Sequence, residues 1–342
     1  MQSAPTGVSI GVGAHRMRDC FRGFAHYLTV IAILLITLGA GIYSGVAHGA
    51  SSGDADLIGD KIQERANAVL ALMGYAVVPD VTTSSLSIQN NATANPGFKL
   101  MQIAGGFTLS GSVPLYLEGG LAYSRYDPEF SAGDDLDDVF IPVKWDSLMA
   151  SGGIGWDFPI VPDLVFRPVF NVSLGHVESD LSGLDDQIDD IDGDFGFLDG
   201  GRLNVVGYGG SVMLDYTSYL PAREIDVEWR LTGVRMQSFG NTSSDVRGRA
   251  DTLNTNLWAR WRAPTGYSLL QRPLRYVLEG AHSTFFGAQA GILGFNYLTS
   301  LGIGLELDSS AYDIYVTRAR VVGRYVFGQN IRGFSIGLAV SF

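Results

Sequence analysis

Beyond Cys20 the 342-residue chain contains no cysteine. That excludes a disulfide framework and a thiolate metal site from the body of the protein. Charge is also scarce: 17% of residues are Asp, Glu, Lys or Arg, and the net charge is −12. No nucleic-acid partner is expected, because phosphate binding needs a basic face. Long apolar runs are missing after residue 40, where none reaches the ~18 residues that a membrane helix needs. A mature chain that spans a bilayer must therefore do so as a closed barrel of strands. What is plentiful is glycine, 44 residues, together with 18 Phe and 15 Tyr. With alternating polarity, that composition favours closely packed β-structure.

The N-terminal part is different. Arg16, Arg18 and Arg22 precede an apolar run from Tyr27 to Leu38, and small residues follow up to Ala47-His48-Gly49-Ala50. A basic region, a short apolar core and a small-residue end read as a secretory signal peptide, cleaved after Gly49 or Ala50. Residues 1–16 then read as an extension upstream of a start at Met17. Cys20 stands before the apolar core, which removes a lipoprotein reading. The expected organisation is a signal peptide over 1–50, a helix and linker over 51–80, and a β-domain over 81–342.

A helix is expected over residues 54–75. Asp54 or Asp56 can cap it and Gly74 can end it. Ile58, Ile62, Ala66, Val69 and Met73 form an apolar stripe, with Lys61, Glu64, Arg65 and Asn67 on other faces. Such a helix needs a surface to pack against.

From about residue 81 the period becomes two. Turn chemistry divides the rest into strands near 81–90, 98–110, 114–126, 144–157, 163–177, 203–219, 222–238, 248–262, 273–285, 291–307, 311–327 and 331–342. Twelve is an even count, as single-chain bacterial barrels require. The two longest connections, 127–143 and 178–202, fall on one side of the ladder, and the other side has tight turns, with 263–272 as the exception. Long loops on one side and short turns on the other is the asymmetry of a membrane barrel.

Faces can be assigned within the strands. Ile225, Val227, Trp229 and Leu231 alternate with Glu224, Asp226, Glu228 and Arg230. Leu293, Phe295, Tyr297, Leu301, Ile303, Leu305 and Leu307 share another apolar face. Alternation alone fits either a soluble sandwich or a barrel in lipid. In a barrel, Glu118, Arg167, Asp215, Glu224, Asp226, Glu228, Arg230, Arg260, Arg275, Glu279, Glu306, Arg318, Arg320 and Arg324 point into the lumen. Their mixed signs suggest a network that holds wall and helix together more than a charge-selective filter.

The last strand bears most directly on class. Phe334, Ile336, Leu338, Val340 and Phe342 alternate with Ser335, Gly337, Ala339 and Ser341 to the final residue. This resembles the C-terminal targeting signal of Gram-negative outer-membrane β-barrels, which the barrel-assembly machinery reads. The order of signal peptide, one helix and about twelve strands resembles the translocator domain of autotransporters over residues 54–342. The resemblance implies an all-β transmembrane antiparallel barrel with the helix in its lumen. It further implies a Gram-negative outer-membrane location after Sec export, lipopolysaccharide as a neighbour, and a monomer. Lys61, Glu64 and Arg65 would then meet the inward Glu228, Arg230 and the row from Arg318 to Arg324. Two departures stand out. Only Ser51 to Gly53 lie where a passenger would be, and Asn67 is followed by Ala68 where some autotransporters have a self-cleaving Asn-Asn pair. The pair Asn90-Asn91 lies at a strand end, so no cleavage site is carried over.

Other chemistry is sparse. Asp190, Asp192 and Asp194 begin like a calcium loop, but Phe195 stands where the turn needs Gly and no Glu closes the frame. A solvated acidic loop, bridged by divalent ions to lipopolysaccharide phosphates, is the plainer reading. The loop holding Asp134, Asp135, Asp137 and Asp138 repeats the composition without the spacing. His176 and His282 fall in phase with apolar residues on the expected lipid face, and His282-Ser283-Thr284 offers only Thr at the spacing of a His/Ser hydrolase pair. The expectation is a non-enzymatic barrel with no cofactor. The alternatives are a small-solute channel and, further off, a surface hydrolase.

Overall fold

The structure is a computed structural model that describes residues 67–80, 85–88, 97–127, 129–131, 140–142, 144–180, 202–240, 248–290, 292, 295–310, 317–329 and 331–341. All of these lie in the second of two compact units, which runs from Asp54 to Phe342. Residues 67–73 are helical and continue into a 3-10 turn, Gly74–Ala76. The strands are β1 (Ser85–Ile88), β2 (Gly97–Thr108), β3 (Leu115–Asp127), β4 (Glu129–Ser131), β5 (Phe140–Pro142), β6 (Lys144–Trp156), β7 (Phe158–Val161) and β8 (Leu164–Asp180). They continue as β9 (Arg202–Leu220), β10 (Arg223–Phe239), β11 (Arg249–Leu269), β12 (Arg272–Gly287), β13 (Tyr297–Asp308), β14 (Arg318–Gly328) and β15 (Ile331–Ser341).

Twelve of these strands follow one another in a single path, β1-β2-β3-β6-β8-β9-β10-β11-β12-β13-β14-β15. Every ladder on it is antiparallel. β7 pairs with β8 off the path, and β4 pairs with β5 as a separate hairpin. The first and last strands, β1 and β15, lie side by side. Curl is also evident in side-chain contacts. Glu118 on β3 and Arg230 on β10 are four strand steps apart, about 19 Å in a flat sheet at ~4.8 Å per step, yet their Oε1 and Nη2 atoms are 2.6 Å apart.

The two faces settle which way round the sheet is. Ile103 and Phe334 are each 85% exposed and Leu338 is 81% exposed, whereas Arg230 and Arg262 are each nearly fully buried and Glu306 is 0% exposed. In water this distribution would be inside out, since large apolar patches rarely stay exposed and charges are rarely buried. In a bilayer it is the stable arrangement, with an apolar band outside and a polar interior.

The strand expectations hold closely, with two corrections. β1 is described over Ser85–Ile88 and β14 from Arg318, and the rest of the expected 81–90 and the expected 311–316 lie outside the described residues. The expected long connection at 263–272 is in fact strand. β11 runs on through a register shift between Pro264 and Ser268 to Leu269, and the turn is only Leu270-Gln271. Proline cannot donate to a ladder; at the shift Thr265 Oγ1 substitutes, donating to Leu274 O at 2.8 Å and accepting from Tyr267 N at 3.0 Å. Phe295 is the second correction. It precedes β13, so strand alternation does not apply to it, and it is buried among inward residues, not on the lipid face.

Candidate functional site in the lumen

The concave face has two zones. Towards the end bearing the long connections, the inward residues are apolar: Phe98 and Leu100 of β2, Trp145 and Met149 of β6, Val177 of β8, Leu203 and Val205 of β9, Val234 and Met236 of β10. Into this ring fit Val69, Leu70, Ala71, Leu72 and Met73, followed by Tyr75, Ala76, Val77 and Val78, all buried in the same cluster. A residue this buried contributes about 1.5–3 kcal/mol when it is Val, Leu or Met, so the segment is a substantial part of the core. Tyr75 meets Phe285 edge to face with ring centroids 4.6 Å apart, and Phe285 meets Phe295 at 6.0 Å.

Hydrogen bonds fix the segment's direction. The backbone N–H of Arg249, first residue of β11, donates to Asn67 Oδ1 at 2.8 Å. Gln102 Nε2 donates to Ala76 O and Val78 O, each at 3.0 Å. Tyr75 OH donates to Gln289 O at 3.0 Å. Deepest lies Asp80, whose carboxylate accepts from Asn256 Nδ2 at 3.0 Å and from Ser283 Oγ at 2.8 Å. The described segment thus runs from the long-connection rim at Asn67 to mid-lumen at Asp80, and β1 pairs with β2.

Below Asp80 the inward side chains are charged. Arg230 donates to Glu118 through Nη1 at 2.8 Å and Nη2 at 2.6 Å, and Asn171 Nδ2 and Tyr116 OH complete the carboxylate's shell at 2.5 and 3.1 Å. Arg167 pairs with Asp157 and, at 3.2 Å, with Asp215. Its guanidinium carbon lies 4.0 Å from the centroid of the Tyr116 ring. On the far side of β10, Glu224 pairs with Arg318 at 2.7 Å, Arg262 at 2.9 Å and Arg275. Arg262 also reaches Asp226 at 3.0 Å and Glu306 at 3.2 Å. Arg320 lies 3.1 Å from Glu306 and Arg324 2.8 Å from Glu279. Paired in this way, these buried charges have the partners their desolvation requires.

Two inward glycines make room for this network. A methyl group at Gly153 would lie 2.6 Å from Asn171 Nδ2 and 2.8 Å from Glu118 Oε1, and one at Gly337 would overlap the Arg324 guanidinium.

Solved structures with a similar strand arrangement include autotransporter translocators. The β-domain of the Bordetella autotransporter BrkA is 15% identical, with 72% of this chain and 88% of that one covered and a TM-score of 0.39. For the NalP translocator domain from Neisseria meningitidis the values are 12%, 72%, 82% and 0.36, and for the AIDA-I transport unit from Escherichia coli 10%, 82%, 99% and 0.39. The sequence matches no protein-family model and no curated protein. At these overlaps the fold rests on the ladders themselves.

Glu118, Arg167, Asp215, Glu224, Asp226, Arg230, Arg260, Arg275, Glu279, Glu306, Arg318, Arg320 and Arg324 all join the ion-pair network. Glu228 sits among them, directly opposite Asp215 in the ladder. These charges pair with one another, and the described part of the N-terminal segment meets apolar wall. Lys61, Glu64 and Arg65 lie outside the described residues, as do Asp190, Asp192, Asp194 and Phe342. Arg262 and Asp157 were missed because the expected strand ends fell on or beside them, although Arg262 is in phase with Arg260. Asp80, Asn256 and Ser283 carried no signal in the sequence.

His176 and His282 lie towards the outer face, as expected. His282 Nδ1 is 2.8 Å from Thr299 Oγ1 and Nε2 is 3.3 Å from Thr284 Oγ1. Its two partners are hydroxyls and neither is a carboxylate that could orient a general base. Phe334, Ile336, Leu338 and Val340 all project outward from β15.

Proposed function

We propose that the chain is a Gram-negative outer-membrane β-barrel of the autotransporter translocator type, exported by Sec, without a passenger and without enzymatic activity. Its N-terminal segment plugs the lumen, and its acidic loops, 127–143 and 178–202, face the cell exterior, bridged by divalent ions to lipopolysaccharide. The barrel-assembly machinery reads the terminal strand, and the protein works as a monomer. The observation that carries this reading is the direction of the segment. Asn67 is held at the long-connection rim by Arg249 and Asp80 is held in mid-lumen. A small-solute channel would need that segment to leave.

An epitope tag between Gly53 and Asp54 tests the reading. Antibody should bind it on intact cells. Binding only after the outer membrane is permeabilised would overturn the threading. Cysteines replacing Asp135 and Asp186 should react on intact cells with an impermeant thiol reagent, and one replacing Ser309 should not.

A further inference from the structure

We propose that the lumen carries two closures in series, and that the second belongs to the wall. The first is the apolar segment 67–80. The second is the ion-pair layer below it, which the segment does not enter: its deepest described contact is Asp80 with Asn256 and Ser283.

Three observations support a wall-built closure. The first is burial with wall residues as the described partners. Arg230 and Glu118 side chains are each 2% exposed, and Glu306 is 0% exposed. Charged side chains on the inner face of a wide empty barrel would stand in open solvent; among the described residues it is other side chains of the wall that pair with these. The second is reach. Glu118 to Arg230 joins β3 to β10, and Glu224 to Arg318 joins β10 to β14. Each of these contacts spans four strand steps of the path. They are chords that cut across the lumen, unlike the neighbour-strand pairs that merely line a wall. The third is the glycines. Gly153 and Gly337 are hollow where Glu118 and Arg324 pass over them, so the wall is shaped to let the charged groups lie across it.

The inference deepens the reading above, since it takes the lumen as a membrane pore and the segment as its plug. It predicts that releasing the segment alone does not create a pore. Opening requires the chords to part as well, so a solute or polypeptide would have to compete for the Glu118 and Glu224 carboxylates or for the arginines that bind them.

Conductance in planar bilayers tests this with four purified proteins. Full-length protein should be closed. So should a form lacking residues 54–80, and so should full-length protein carrying Glu118→Ala, Arg230→Ala, Glu224→Ala and Arg318→Ala. Both members of each pair are removed so that no buried charge is stranded. Only the form combining deletion and substitutions should conduct. Where the deletion does not fold, as judged by heat-modifiable migration, Leu70→Asp with Val77→Asp unseats the segment in place. Large steps from the deleted or unseated protein with an intact wall would overturn the proposal. Conduction by the substituted full-length protein, or a combined form that stays closed, would overturn it too. An epitope tag that fails to appear on cells would instead refute the threading, and leaves the conductance comparison readable.

Discussion

Ser283 on β12 donates a hydrogen bond to Asp80 at 2.8 Å, while Asn256 on the neighbouring β11 donates to the other oxygen of the same carboxylate at 3.0 Å. This clasp holds the deepest described residue of the N-terminal segment. Asp80→Ala leaves two buried donors short of an acceptor, a loss of about 1–3 kcal/mol. The urea midpoint for unfolding in detergent should fall accordingly. Asp80→Asn keeps one acceptor oxygen and should lose less.

Gly74 permits a close approach between the segment and β11. A methyl there would lie 2.7 Å from Thr252 Cγ2 and 3.0 Å from Gln289 Nε2. Gly74→Ala should therefore destabilise by about 1–3 kcal/mol, the usual cost of overpacking. Thr252→Ser removes the offending methyl while keeping the hydroxyl that donates to Val234 O. The double variant should recover most of the lost urea midpoint, and failure to do so would locate the strain elsewhere.

Glu118 and Glu228 both face the lumen but differ in partnership. Glu118 is bound by Arg230, Asn171 and Tyr116. Glu228 stands directly across the ladder from Asp215, and like charges so placed oppose each other. Glu118→Gln should cost about 3–5 kcal/mol, as expected when one member of a buried pair is removed. Glu228→Gln should be neutral or raise the unfolding midpoint. Equal losses for the two would show that pairing is not what distinguishes them.

How much of this was legible follows the physics of each part. Alternation is a local property, so the strands and the inward set from Glu118 to Arg324 could be read directly. Pairing could not, because Glu118 finds Arg230 only after the sheet curls, and no local pattern encodes a chord. Arg262 escapes a local reading for a smaller reason: it is the last residue of the expected strand 248–262, and the strand in fact bulges past Pro264 and continues to Leu269. Phe295 was misplaced by extending alternation into a loop. The segment's polar residues drew attention, yet its apolar stripe, Val69 and Met73, proved to be what the described wall receives.

The turn closing β11 to β12 has non-glycine residues at both left-handed positions, Leu270 at φ 52° and Gln271 at φ 61°. Two-residue hairpins of this geometry prefer Asn-Gly. Leu270→Asn with Gln271→Gly should stabilise the barrel by roughly 1 kcal/mol, since β-carbon strain in this region costs about 1–2 kcal/mol per residue. The readout is a rise in urea midpoint. An unchanged or lower value would mean that the exposed Leu270 contributes something the turn geometry does not show.

Phe342, with the outward row from Phe334 to Val340, is expected to be needed for assembly. Phe342→Glu should deplete heat-modifiable barrel from the outer membrane. Recovery at wild-type level would refute the targeting role.

The opposite faces of these strands live under different rules of change. Lipid is a fluid with no shape to match, so outward positions such as Ile103, Leu148 and Leu338 need only be apolar, and substitutions among Leu, Ile, Val and Phe should be nearly silent. Inward positions interlock with specific neighbours, so Gly153 and Gly337 are moulds for particular side chains of the adjoining strands. Sequence drift should therefore run freely along every second residue and stall on the residues between. Such a protein can wander far in overall identity while its interior wiring stays fixed.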